Sequence, residues 1–332
     1  MQGDIILNIK NVTIKNFTVF EEIEVNFSKG INIIIGENGS GKTHLLKLIY
    51  GIGETMDHKN PCHISKDYFK TTSSNLIKKD DLNSDVIIKY SDNKEVSYVF
   101  PKLDDGIESM GYIGNEVIPK SIFIPAKEML SHSKGFLALN NKYELPFDKT
   151  YIDIITNAEL PESKNISEIS NKVLEIISKI IDGKVVYEND SFYIVKKDQR
   201  KIEFSLEAEG LRKFGLLYKL IRNGLIEKNT ILLWDEPESN INPELIPVLV
   251  DIMIMLEREG VQIIIATHSY NLAKYFEVKR KENDSVLFHS LYKTEKGVKV
   301  QSNEYFGELD NNSIIKADSK LLDEVIEESL ED

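Results

Sequence analysis

A glycine-rich segment at residues 36–43 constrains this chain more than any other feature of its sequence. It reads GENGSGKT and lies between an apolar run, residues 31–35, and an apolar stretch of helical length. Strand, glycine-rich loop and helix in that order form the context in which G-x-x-x-x-G-K-[ST] binds phosphate. Glycines let successive backbone N–H groups face phosphate oxygens, and the helix adds its positive N-terminal end. The sequence therefore predicts a nucleoside triphosphate site on an α/β core.

The polar positions of this loop have predictable roles. Lys42 would neutralise the β- and γ-phosphates, and the Thr43 hydroxyl would bind Mg²⁺. The other loop positions expected to contact the nucleotide are Gly36, Asn38, Gly39, Ser40 and Gly41. ATP and Mg²⁺ are therefore the expected ligands, because the flanking strand and helix argue against a chance glycine-rich turn.

An acidic pair follows a second apolar run. Residues 230–238 read TILLWDEPE, so Asp235 and Glu236 come directly after four apolar residues. Asp235 would hold Mg²⁺ beside Thr43, and Glu236 would polarise the water that attacks the γ-phosphate. An acidic surface turn is the alternative, and the glycine-rich loop upstream makes it the weaker interpretation.

A third apolar run ends at a histidine. Residues 261–266 form a predicted buried strand, which is followed by Thr267, His268 and Ser269. A single histidine is more often structural than catalytic. This one follows the strand and helix that come after Asp235, and polar residues at the carboxyl ends of core strands share one edge of a sheet. We therefore expect His268 to contact the γ-phosphate.

The charge balance bears on the choice of partner. The chain has 332 residues and a formal net charge of −13, and residues 323–332 are strongly acidic. Proteins that mainly bind nucleic acid usually carry a basic face, so a protein partner is favoured over DNA. A single cysteine, Cys62, and the lack of an apolar run long enough for a membrane span predict a cytoplasmic protein without a membrane partner.

Hydrophobic periodicity predicts the remaining elements. They are strands within 5–27 interrupted at 16–22, a hairpin at 86–100, a strand at 121–125, a helix at 166–181, strands at 184–187 and 192–196, a helix at 243–258, and strands at 286–292 and 298–302. Residues 52–84 are polar and irregular. His58, Cys62 and His63 lie there without a fourth zinc ligand, so we interpret this stretch as a surface loop.

In this order, the motifs G-x-x-x-x-G-K-T, D-E-P-E and T-H-S resemble those of the ABC-type ATPase superfamily, including SMC-like and OLD-like ATPases. The segments SIFIPAKEML (121–130) and DEPESNINP (235–243) are most similar to the "AAA family" ATPases of bacterial defence and mobile-element operons. The resemblance implies an α/β P-loop ATPase domain with an N-terminal antiparallel sheet and an inserted helical lobe. It covers nearly the whole chain.

We expect one composite domain over residues 1–332. Its predicted parts are a P-loop core (1–56, 84–130 and 205–305), a variable insertion (57–83), a helical and hairpin lobe (131–204) and an acidic C-terminal helix (313–332). The sequence predicts no long coiled-coil arm and no internal repeat.

The resemblance also implies an ATP sandwich, in which a signature loop reaches the nucleotide of a second subunit. That loop corresponds to residues 205–217, where Ala208 replaces the family serine and Gly210 keeps the glycine. Arg212 or Lys213 could add positive charge, and an ordinary surface helix start is the alternative. Asn240 lies in a segment, 239–243, that the resemblance places at the subunit contact.

The family's Q-loop glutamine has no match in this chain. Glu128, after the strand at 121–125, is the nearest candidate and could contact Mg²⁺ or water. A structural helix cap is the alternative for this carboxylate.

The resemblance implies ATP hydrolysis by an ATP-dependent homodimer or larger even assembly, with Glu236 and His268 as catalytic residues. The favoured role is regulation of a separate effector, a nuclease or toxin, in anti-phage defence. OLD-like proteins carry a nuclease domain after the ATPase, and the roughly 60 residues that follow His268 leave no room for one, so we expect the effector on a separate chain. The alternative is an SMC-like DNA-repair or chromosome-associated ATPase. A transporter ATPase subunit is a third, weaker possibility.

Overall fold

The computed structural model describes residues 7–57, 63–78, 81–102, 107–114, 119–143 and 145–331. The strands are β1 (Ile9–Phe17), β2 (Phe20–Asn26), β3 (Ile31–Gly36), β4 (Asn83–Tyr90), β5 (Glu95–Pro101), β6 (Ser109–Ile113), β7 (Lys120–Ile124), β8 (Gly183–Glu188), β9 (Ser191–Lys196), β10 (Lys201–Glu203), β11 (Thr230–Asp235), β12 (Gln262–Thr267), β13 (Val286–Thr294) and β14 (Gly297–Asn303). The helices are α1 (Lys42–Asp57), α2 (Ile64–Phe69), α3 (Ser73–Leu76), α4 (Phe136–Tyr143), α5 (Lys149–Glu159), α6 (Glu168–Ile180), α7 (Glu209–Arg222), α8 (Ile246–Glu259), α9 (Tyr270–Lys279) and α10 (Ser313–Glu331).

The central sheet has the strand order β14-β13-β3-β12-β11-β7. Strands β13, β3, β12, β11 and β7 are parallel, and β14 pairs antiparallel with β13. Ile33 and Ile35 pack in the same cluster as α8, whereas Ile34 packs with α1, so helices cover both faces. The carboxyl ends of β3, β11 and β12 consequently meet at one edge, where the three motifs lie.

A second, antiparallel sheet flanks this core, with the strand order β2-β1-β4-β5-β6. Val12 opposite Val25 and Ile14 opposite Ile23 form its buried face, as the alternating sequence predicts. The predicted N-terminal antiparallel sheet and the 86–100 hairpin are confirmed. The predicted break over 16–22 is too wide, because only Thr18 and Val19 separate β1 from β2.

The β1–β2 turn lies against the phosphate-binding loop. A Cβ atom at Gly41 would stand 2.4 Å from Phe20 Cζ, and Gly41 has a φ of +91°. Both the close approach and the left-handed backbone require glycine at this position.

The prediction of an irregular stretch at 52–84 is wrong in part. Helix α1 continues to Asp57, and α2 and α3 follow. Ile64 and Tyr68 of α2 are buried, and the Tyr68 ring lies 5.6 Å from the Tyr50 ring of α1. Residues 58–62 lie outside the described part of the chain, which leaves the loop predicted around His58 and Cys62 without a structural description.

The helical and hairpin lobe comprises α4, α5, α6 and a small antiparallel sheet, β10-β9-β8. The predicted helix at 166–181 is confirmed as α6, which Ser167 caps by accepting a hydrogen bond from Ser170 N. The lobe is not separate from the core, because Ile154 and Val173 belong to the same buried cluster as Ile33. Strand β10 was not predicted, and the domain boundaries remain predictions.

Helix α10 follows the β13–β14 hairpin and corresponds to the predicted acidic C-terminal helix. Asn312 caps it, since its side chain accepts hydrogen bonds from Ile314 N and Ile315 N. Within the described residues, no helix is long and apolar enough to cross a membrane.

Candidate nucleotide site

The phosphate-binding loop joins β3 to α1 and holds Lys42 at the first turn of that helix. Lys42 Nζ donates hydrogen bonds to Gly36 O at 2.8 Å and to Glu37 O at 3.1 Å. Burial lowers the pKa of Lys42 to about 8, and the carboxylates of Asp235 and Glu236 oppose this shift. Lys42 is thus a desolvated cation that its own chain satisfies mainly with neutral carbonyl groups.

Ser40 is fully buried in the same loop, and its Oγ has no hydrogen-bond partner among the described residues. Buried polar atoms are normally satisfied, so an orphaned hydroxyl in this loop fits a ligand that supplies acceptor oxygens. The donors of this loop therefore match the requirements of a polyphosphate.

Thr43 and Asp235 meet across the sheet edge. Thr43 Oγ1 donates a hydrogen bond of 2.8 Å to Asp235 Oδ2, so the structure joins the two residues predicted as Mg²⁺ ligands. Burial raises the pKa of Asp235, and the hydrogen bond from Thr43 opposes this shift. A hydroxyl and a carboxylate are hard oxygen donors of the kind that Mg²⁺ prefers, so the pair fits this ion.

Glu236 and His268 face each other at the ends of β11 and β12. His268 Nε2 lies 3.9 Å from Glu236 Oε1, and both side chains are partly exposed. Burial, and secondarily Lys42, lower the pKa of His268, while Glu236 opposes this shift. His268 is therefore biased towards the neutral form, in which one ring nitrogen can donate and the other can accept.

The backbone of Glu236 is held in a strained conformation. Its φ is +46°, in the left-handed region that side chains other than glycine rarely adopt. Glu236 N donates to Ala266 O at 2.9 Å, and Lys213 Nζ donates to Glu236 O at 2.9 Å. Strain of this kind persists where surrounding contacts enforce it, and here they hold the carboxylate at the edge of the sheet.

The sequence did not predict that Lys213 holds the backbone of Glu236. Its side chain is buried, burial lowers its pKa to about 8, and it also bonds to Ser239 Oγ. The expectation that Arg212 or Lys213 adds charge for a second subunit remains a prediction, and in this structure the Lys213 ammonium bonds to its own chain. Its position among the buried residues of α7, beside Phe214 and Leu217, was the available signal.

Glu238 is a second residue that sequence reasoning missed. Its Oε1 accepts hydrogen bonds from Thr267 Oγ1 at 2.6 Å and from His268 N at 3.3 Å. Burial raises the pKa of Glu238, and the Thr267 bond opposes this shift. Glu238 therefore ties the loop after β11 to the loop after β12.

A cavity of about 270 Å³ lies between the phosphate-binding loop and the side chains of Glu236 and His268. Its lining residues are Val19, Asn38, Gly39, Gly41, Lys42, Thr43, His44, Glu236 and His268. The structure thus brings residues of all three motifs to one open space at the carboxyl edge of the central sheet.

The predicted signature residues lie together, and none of them lines that cavity in the described structure. Ala208 precedes the first turn of α7 and makes no side-chain cap. A Cβ atom at Gly210 would stand 2.5 Å from Asn240 O, so glycine is required where the 239–243 segment crosses α7. Contact of Ala208, Gly210 or Asn240 with nucleotide remains a prediction.

Glu128 has partners that favour its structural alternative. Its side chain is 1% exposed, its Oε2 lies 3.2 Å from Arg212 Nε, and its Oε1 accepts from Leu130 N and Ser131 N. Glu128 therefore caps a 3₁₀ turn at Leu130–His132 and neutralises Arg212. Its role as a Mg²⁺ contact remains a prediction.

Comparison with known proteins finds a family and relatives similar to parts of this chain. The protein family described as "AAA domain, putative AbiEii toxin, Type IV TA system" matches residues 121–274, which include Asp235, Glu236 and His268. The DNA replication and repair protein RecF of Streptococcus agalactiae serotype V is 29% identical over 181 residues, covering 52% of this chain and 46% of the relative. RecF of Streptococcus uberis is 26% identical over 222 residues, covering 65% and 58%. The chain spans about half the length of the curated relatives it matches.

Solved structures agree on the fold. The Smc head domain with a coiled coil and joint from Pyrococcus yayanosii superposes with a TM-score of 0.62 at 10% identity, covering 95% of this chain and all of that one. An Smc head bound to the C-terminal winged-helix domain of ScpA gives a TM-score of 0.60 at 14% identity, covering 90% and 98%. The fold is that of an SMC head. The chain is thus similar in fold to SMC heads, and the match to the AAA family model covers residues 121–274.

Proposed function

We propose that this protein binds and hydrolyses Mg-ATP, that two copies close face to face on ATP, and that the cycle regulates a separate effector protein in bacterial anti-phage defence. The observation that carries the ATPase assignment is the convergence of Lys42, the Thr43–Asp235 pair, Glu236 and His268 at one sheet edge. The reaction class is attack of water on the γ-phosphate.

Each group has a distinct task in this mechanism. Lys42 and the loop N–H groups bind and orient the triphosphate. Thr43 and Asp235 would hold Mg²⁺, which supplies charge neutralisation at the phosphates when bound. Glu236 accepts a proton from the attacking water, and His268 donates a hydrogen bond to a γ-phosphate oxygen.

Two observations support an effector rather than an autonomous activity. The matching family is described by a putative toxin and a type IV toxin–antitoxin system. The net charge of −13 suits a protein partner better than a nucleic acid. The effector would be a nuclease or toxin on its own chain, and the assembly would work in the cytoplasm.

A DNA-directed ATPase is the second candidate, because the curated relatives are named for DNA replication and repair. It predicts a basic DNA-binding surface on the closed dimer and stimulation of hydrolysis by DNA. The acidic balance of this chain disfavours it.

Phosphate release from Mg-ATP, with and without linear double-stranded DNA, tests the proposal. We expect Mg-dependent release that DNA changes by less than about two-fold, since electrostatic attraction to DNA needs basic surface. Stimulation of ten-fold or more would instead support the second candidate. Release no faster than that of a Lys42→Ala protein would contradict the ATPase assignment.

A further inference from the structure

A lysine outside all three motifs lies at the phosphate-binding loop. Strand β13 runs beside β3, with Leu291 opposite Gly36, so the residues after Leu291 continue alongside the loop. Lys293 Nζ donates a 3.0 Å hydrogen bond to Asn38 O. A Cβ atom at Gly39 would stand 3.7 Å from the same Nζ, which places the ammonium at the edge of the loop.

Lys42 and Lys293 together bond three consecutive carbonyls of this loop. Lys42 donates to Gly36 O and Glu37 O, and Lys293 donates to Asn38 O. Lys42 is buried, whereas Lys293 is exposed and keeps a flexible stem. An exposed lysine can exchange a neutral carbonyl for a phosphate oxygen without moving the loop.

The charges around this pair favour an added anion. Among the described residues Lys293 forms no ion pair with a carboxylate, and its ammonium lies at the same loop as that of Lys42. Two cations that face one loop repel each other, and a polyphosphate bound between them would be attracted to both.

We propose that Lys293 is a second phosphate-directed cation of this site, which binds the nucleotide polyphosphate together with Lys42. This inference rests on the proposed ATP binding and adds a ligand from β13 to the loop donors. Mg-ATP carries more negative charge than Mg-ADP, so the contribution of Lys293 is larger for ATP.

Titration with fluorescent ATP and ADP analogues tests this assignment. Lys293→Gln removes the charge but keeps an N–H group for Asn38 O. We expect it to weaken ATP binding about ten-fold, the size of one charge-assisted hydrogen bond, and ADP binding less than about three-fold. Lys293→Arg keeps the charge and should bind ATP within about three-fold of wild type.

Lys296→Gln is the matched control, because Lys296 is exposed in the same hairpin and its ammonium contacts no loop carbonyl in the described structure. It should leave both affinities unchanged. Wild-type affinities in Lys293→Gln, or an equal loss of affinity for ATP and ADP, would overturn the assignment. Lys293 would then only hold the loop through its hydrogen bond to Asn38 O. A wild-type chain that binds neither nucleotide would overturn the proposed function and this inference with it.

Discussion

Replacing Lys42 by alanine should weaken ATP binding by at least about 100-fold. Lys42 is the buried cation of the loop, and its loss removes several charge-assisted contacts to the phosphates, together on the order of 3 kcal/mol. The free energy of unfolding should change little, because a buried ammonium costs desolvation that alanine does not. Titration with a fluorescent ATP analogue, alongside thermal unfolding of the same protein, measures both quantities.

Lys47→Ala supplies the control for this prediction. Lys47 lies one turn later in α1 and pairs with Asp148 at 2.7 Å, away from the lining of the cavity. Its replacement should leave ATP affinity within about three-fold of wild type, because Lys47 does not line the cavity. The ion pair with Asp148 should affect the free energy of unfolding only slightly. Wild-type affinity in Lys42→Ala would remove the loop from the nucleotide site.

Replacing Glu236 by glutamine should slow ATP turnover by at least about 100-fold, while ATP binding is retained. The amide keeps the size of the side chain but cannot accept the proton of the attacking water. The backbone contacts from Ala266 and Lys213 do not involve the carboxylate, so the loop geometry should persist. Phosphate release under single-turnover conditions, with ATP affinity measured separately, distinguishes loss of chemistry from loss of binding.

Glu244→Gln tests whether any nearby carboxylate would have the same effect. Glu244 is exposed at the start of the helix that follows the same loop, and it does not line the cavity. Its turnover should match wild type. Near-normal turnover by Glu236→Gln would show that another group, with His268 the first candidate, activates the water.

The sequence allowed the meeting of the three motifs at one sheet edge to be predicted, because each motif contains its own structural context. An apolar run followed by a polar turn indicates a core strand and the residue at its carboxyl end, as at Asp235 and His268. Parallel strands then bring these ends to one edge without further information. The 2.8 Å contact between Thr43 and Asp235 is the result of that rule.

The groups that hold the site could not be predicted in the same way. Lys213 and Lys293 donate to backbone carbonyl oxygens of Glu236 and Asn38, and any residue type can supply such an acceptor. Their partners depend on how α7 crosses the loop after β11 and on β13 lying next to β3. Strand order is a property of the whole fold, which periodicity along one segment does not contain.

The buried part of the insertion was missed for a related reason. Residues 63–78 read as polar, yet Ile64 and Tyr68 pack under α1 and make α2 part of the core. Two apolar residues one helical turn apart form too short a pattern to distinguish a helix from a loop. Tertiary contacts with Tyr50 decide this segment.

The most direct test of the whole account is the light-scattering mass of the Glu236→Gln protein with and without Mg-ATP. Contacts made only in the presence of the γ-phosphate should shift the population towards the closed pair, and blocked hydrolysis should keep it there. We predict that the mass doubles on addition of Mg-ATP and returns to its starting value when the nucleotide is removed. A mass that is the same with and without Mg-ATP would contradict ATP-driven closure.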